Sequence, residues 1–81
     1  MDFQLYTDVV LVRDVVEDNL RVGDIGTVVE RHDVPGLETG YSVEFFDMLG
    51  STIAVVTLPG SMLRAPTHGD IPSVRRDAVT I

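Results

Sequence analysis

Hydrophobic residues along this chain come in short bursts, broken by Gly, Pro, Asp and Asn. The bursts are shorter than a typical helix and rich in β-branched residues, which favour strands. Residues 8–14 form a compact apolar run bounded by Asp8 and Asp14. Residues 26–32 form a second strand, in which Thr27 and Val29 share one face and Val28 and Glu30 the other. Residues 41–46 alternate: Tyr41, Val43 and Phe45 point inward, and Ser42, Glu44 and Phe46 outward. Residues 52–58 make a fourth strand, and residues 62–64 a short fifth.

The connections narrow the architecture. Gly23 and Gly26 flank Asp24-Ile25 just ahead of the second strand. Glycine reaches backbone conformations that other residues avoid, so this segment reads as a tight turn feeding a strand, with Asp24 capping the turn. Residues 15–23 form a long acidic loop, and residues 32–40 a second loop with Pro35-Gly36 as its turn signal. Asp47-Met48-Leu49-Gly50 is short enough for a hairpin, and Pro59-Gly60-Ser61 for one 3₁₀ turn before the last strand. That order predicts an all-β fold, a small five-stranded SH3-like barrel over residues 1–64. Residues 65–81 form a C-terminal extension rich in Pro, Gly, Ser and Thr. It is either a flexible tail or, through Val79 to Ile81, an added strand on its own or a neighbouring barrel.

Composition then limits the chemistry. The chain has 81 residues, enough for one domain with a modest core. It has no cysteine, which excludes disulfides and thiolate chemistry. Stability rests on core and backbone pairing alone, and a homodimer would add to it. No apolar run is long enough to span a membrane, and residues 1–4 lack the features of a signal peptide. A cytoplasmic protein is expected. Thirteen acidic residues oppose six arginines, with no lysine, for a net charge of −7. This charge repels a phosphate backbone and leaves no basic stripe to overcome the repulsion. The acidity serves either solubility or a basic protein partner.

Four blocks carry a resemblance: Thr7-Asp8-Val9-Val10-Leu11, Gly23-Asp24-Ile25-Gly26-Thr27-Val28-Val29-Glu30, Tyr41-Ser42-Val43-Glu44-Phe45 and Thr52-Ile53-Ala54-Val55-Val56-Thr57-Leu58. In order and spacing they resemble the bacterial family called domain of unknown function 4926, from about residue 3 to residue 64. The resemblance implies an SH3-like barrel in a short, stand-alone protein, in a family whose members accompany toxin-like or mobile genes. It supplies no catalytic residues, and it does not reach the tail.

Candidate chemistry is sparse. His32 and His68 are the only groups that titrate near neutrality without perturbation. His32-Asp33 supplies two potential metal ligands and would need Glu38 or Asp47 to complete a set, so no metal site is assigned. The turn at residues 23–26 precedes a strand and contains an acid, unlike a phosphate-binding loop. Paired carboxylates such as Glu17 and Asp18 would need a desolvating cleft to act as acid and base, and a barrel this small offers little. The expectation is a non-enzymatic protein without cofactor or metal.

Two readings of function remain. One is an acidic interaction module that binds, and inhibits or neutralises, a basic partner, as an antitoxin or immunity protein does. Electrostatic complementarity would speed its encounters and reject wrong partners. Its candidate surface comprises Asp14, Glu17, Asp18, Asp33, Glu38 and Asp47, with Phe46 as an aromatic anchor unless a loop or the tail covers it. The other is a nucleic-acid- or ribosome-associated module, since KOW-type barrels share a Gly-Asp-x-Gly turn before Val-Val. The net charge argues against the second.

Overall fold

Five of the hydrophobic bursts pair as strands of a single antiparallel sheet in the computed structural model, which describes residues 2–72. The strands are β1 (Asp8–Leu11), β2 (Ile25–His32), β3 (Gly40–Phe46), β4 (Thr52–Pro59) and β5 (Leu63–Arg64). Two 3₁₀ turns interrupt them, η1 (Val16–Asp18) and η2 (Gly60–Met62). The sheet order is β4-β3-β2-β1-β5. The all-β fold and the 3₁₀ turn before the last strand are as the sequence indicates. The sheet is open, however, and not closed into a barrel. Its edges are β4 and β5, and β5 is two residues long with its ladder directed to β1.

The core follows the alternation of β3. Tyr41, Val43 and Phe45 are buried on one face, packed with Val9, Leu11, Val28, Leu58 and Leu63. Phe3 joins them from the N-terminal segment. Its ring meets Tyr41 edge-on with centroids 5.3 Å apart, and its N–H donates to the Tyr41 hydroxyl at 3.0 Å. A buried phenol needs such a partner, since an unpaired hydroxyl in an apolar core is costly.

The faces of β2 differ from simple alternation. Thr27 lies opposite Glu44 and Val28 opposite Val43, but Glu30 lies opposite Ser42 because the register shifts between Val28 and Glu30. An inserted residue of this kind flips everything that follows it to the other face. Glu30 therefore shares the Thr27 face, contrary to the expected pairing of Glu30 with Val28. The first strand is also shorter than expected. After Leu11 the chain turns away, and the Asp14 carboxylate accepts the Val22 N–H at 2.9 Å.

The turn ahead of β2 is built as its glycines suggest. Leu11 and Gly23-Asp24 exchange backbone hydrogen bonds, and Gly23 has φ +92°. The Asp24 carboxylate accepts the Arg21 N–H at 2.8 Å, capping the turn. Gly26 serves a different purpose, close approach. A Cβ there would lie 2.6 Å from the Val43 side chain and 3.0 Å from the Glu44 carbonyl oxygen. Past β5, Thr67 to Asp70 form a turn closed by the Asp70 N–H donating to the Thr67 carbonyl, while Val79 to Ile81 and their expected strand lie outside the described residues. Among the described residues no helix is long and apolar enough to cross a membrane.

Candidate functional site

The seven candidate residues do not form one patch. Gly40 starts β3 and Phe46 ends it, so the loop carrying Asp33 and Glu38 and the hairpin carrying Phe46 and Asp47 lie at opposite ends of that strand. Asp14, Glu17 and Asp18 belong to the loop between β1 and β2.

Four of the six carboxylates close loops. Asp14 holds Val22, as above. Asp33 accepts from the Arg31 guanidinium at 3.0 and 3.2 Å and from the Thr39 hydroxyl at 3.1 Å. The Arg31 hydrogen bonds hold its carboxyl below the usual aspartate range. Glu38 reaches η2, accepting the Ser61 N–H at 2.9 Å and the Ser61 hydroxyl at 3.1 Å. Asp47 caps the β3–β4 hairpin, accepting the N–H groups of Leu49 and Ser51 at 2.9 and 3.0 Å. At Asp47 the reach is the usual one for a short acidic side chain, to backbone donors two and four residues on, whereas Asp14 and Glu38 reach across 8 and 23 positions.

Glu17 and Asp18 are different. They sit on η1, exposed, and neither carboxylate makes a hydrogen bond or ion pair among the described residues. The loop that presents them is anchored from below. Val15 and Leu20 form an antiparallel bridge and are buried, and Asn19 turns the chain with φ +56°. Val16, beside the two acids, is 81% exposed. The result is an ordered knuckle with one apolar and two acidic side chains directed at solvent. Phe46 is 46% exposed, so the described residues leave much of this ring uncovered.

Sequence reasoning missed two polar features. One is a row on the outer face of the sheet. His32 Nε2 lies 2.8 Å from the Ser42 hydroxyl and 3.6 Å from Glu30, and Ser42 pairs with the Thr57 hydroxyl at 2.9 Å. The β2 bulge creates this row, and alternation alone does not reveal it. An acid, a histidine and a serine are adjacent, but both partners use the same imidazole nitrogen. A charge-relay arrangement needs the acid on one ring nitrogen and the nucleophile on the other. The second feature is a clamp after β5. Arg64 donates to Asp70 through both terminal nitrogens, at 2.9 and 2.6 Å, while Asp70 also accepts the Thr67 N–H at 2.6 Å. The Arg64 bond and the Thr67 amide hold the Asp70 carboxyl far below its ordinary value. The spacing Thr67-His68-Gly69-Asp70 is a turn signal that could have identified it.

Two of the four described arginines are paired, while Arg13 and Arg21 are exposed with no ion pair among the described residues. Arg31 and Arg64 are engaged by Asp33 and Asp70, with Asp2 a further 3.5 Å contact for Arg31. No group of three or more metal-ligating side chains occurs among the described residues.

Fold and surface together define an all-β domain in which one open antiparallel sheet carries loops closed by carboxylates, with one acidic knuckle that has no partner among the described residues. The chain belongs to the family described as domain of unknown function (DUF4926), which matches residues 5–65. No curated protein and no solved structure shows significant similarity to the chain.

Proposed function

We propose that this protein is a non-enzymatic acidic interaction module of the cytoplasm that binds a basic protein partner and neutralises it by occupying its cationic surface. The observation that carries this reading is the η1 knuckle, where Glu17 and Asp18 are exposed and have no partner among the described residues, beside the exposed Val16. A carboxylate already accepting backbone hydrogen bonds would lose them on engaging an arginine. Glu17 and Asp18 lose only water, so their pairing with a cation is not opposed by broken internal contacts. The surplus of acid over arginine adds a long-range field that speeds encounter with a basic protein.

The test is affinity capture from the native host at moderate salt, using the wild-type chain and the E17Q/D18N variant in parallel. The expected result is one or more basic proteins enriched by the wild type and depleted by about tenfold with the variant, a change of about 1.4 kcal/mol. A captured set that is not basic, or that the variant retains in full, contradicts the proposal.

A further inference from the structure

The edge strand β4 is an unusual surface for so acidic a chain. No charged residue occurs between Asp47 and Arg64, and β4 lies wholly within that interval. It is eight residues long, and its only proline is the terminal Pro59. Ile53 and Val55 are more than half exposed, at 55% and 59%. Proteins normally blunt a free edge with lysine, proline, a bulge or a very short strand, because its unpaired backbone groups template pairing with another chain. The opposite edge is blunted in this way. β5 is two residues long, and the Arg64–Asp70 clamp and Pro66 follow at once. β4 has only a register shift near its Thr52 end.

We infer that β4 pairs antiparallel with β4 of a second copy of this chain, joining two five-stranded sheets into one across a two-fold axis. Charge selects this occupant. A second copy is repelled wherever carboxylates face each other, and β4 is the stretch of sheet edge where none do. The nearest acid in the row is Glu44, opposite Val55 and one strand in from the edge. Across the joined edge the two Glu44 side chains stand three strand spacings apart, about 14 Å. That exceeds the Debye length of about 8 Å at physiological ionic strength, so their repulsion is largely screened.

Side-chain alternation also fits. A two-fold axis perpendicular to the sheet must place like faces opposite each other, which puts the axis on a residue, and the longest overlap of β4 with itself selects Val55 or Val56. With the axis on Val55, Ile53 meets Thr57, Ala54 meets Val56 and Val55 meets itself. With it on Val56, Ala54 meets Leu58 and Val55 meets Thr57. Both registers bring only uncharged residues together. The pairing makes no use of Glu17 or Asp18, so it stands or falls separately from the basic-partner reading.

The experiment is sedimentation velocity on the full chain over a concentration series, with hydrogen exchange of residues 52–59 at the two ends of the series. The expected result is a species of twice the 8.9 kDa chain mass that grows with concentration, together with amide protection in β4 that grows in step. Val55→Glu places carboxylates from both copies directly opposite each other with the axis on Val55 and diagonally across the joined edge with it on Val56, and should raise the dimer dissociation constant by about tenfold or more. Val22→Glu adds the same charge at another exposed apolar position, in the β1–β2 loop with β3 between it and the β4 edge, and should change it by less than about twofold. Far-UV circular dichroism checks that both variants keep the wild-type fold. If Val55→Glu unfolds, the concentration-dependent protection of wild-type β4 decides alone. A chain that stays at 8.9 kDa throughout, or a dimer whose β4 amides exchange as in the monomer, overturns the inference. So does equal weakening by the two variants. A monomer with concentration-independent protection of β4 also overturns it, since the edge would then be covered within one chain.

Discussion

Gly23 and Gly26 sit three positions apart and are required for unrelated reasons. Gly23 holds φ +92° with open space where a side chain would be, so a larger residue there is strained by its backbone. Gly26 has an ordinary backbone but no room, because the Val43 side chain and the Glu44 carbonyl oxygen close over it. Gly26→Ala should therefore destabilise the fold by about 1–3 kcal/mol through overpacking between β2 and β3. For a domain of this size that lowers the melting midpoint by at least about 4 °C. Thermal denaturation followed by circular dichroism checks it, and an unchanged midpoint would mean that the β2–β3 contact is looser than described. The sequence marks both glycines as special, but only the packing of β3 separates the two roles. The candidate acids divide in a similar way. Asp47 precedes a short Gly-containing segment, so its capping of the hairpin was open to inference from the turn alone. The Glu38 contact with Ser61 spans 23 positions and follows from no local pattern.

Among the elements, strand identity was largely legible and strand register was not. β3 needs only its own alternation, and Tyr41, Val43 and Phe45 are buried as expected. β2 carries a bulge that alternation does not encode, and so Glu30 and His32 join the Ser42 face. The end of β1 depended on Asp14 folding back to Val22, a contact between loop residues eight positions apart. The turn after β5 makes a prediction at this scale. Asp70 titrates lower in the folded chain than in the unfolded one, because Arg64 and the Thr67 amide favour its charged form. Its contribution is present above the unfolded aspartate value of about 4 and is lost as pH falls through the lower folded value. The Thr67 amide resonance in an NMR pH titration should accordingly stay near its neutral-pH position down to pH 4 and move only below it. A midpoint at the ordinary aspartate value would show that the Arg64–Asp70 clamp does not persist in solution.

On the scale of the whole molecule, the chain divides its surface by charge. Most acids lie in the loops, with Glu30 on β2 and Glu44 on β3, while the run from Met48 through η2 has none. This division keeps the two proposed contacts apart, the one with a basic protein at η1 and the one with a second copy at β4. The total charge was readable at once from composition. Which carboxylates remain unengaged among the described residues was not, since Asp14, Asp33, Glu38 and Asp47 look no different from Glu17 and Asp18 until their partners are placed. The central claim is that Glu17 and Asp18 recognise a basic protein. Its most direct test is the affinity of a captured basic partner for the wild-type chain and for E17Q/D18N, measured at low and at physiological salt. The expected result is about tenfold weaker binding by the variant, with a smaller loss of affinity on adding salt than the wild type suffers. Equal affinities and equal salt dependence for the two proteins would contradict it.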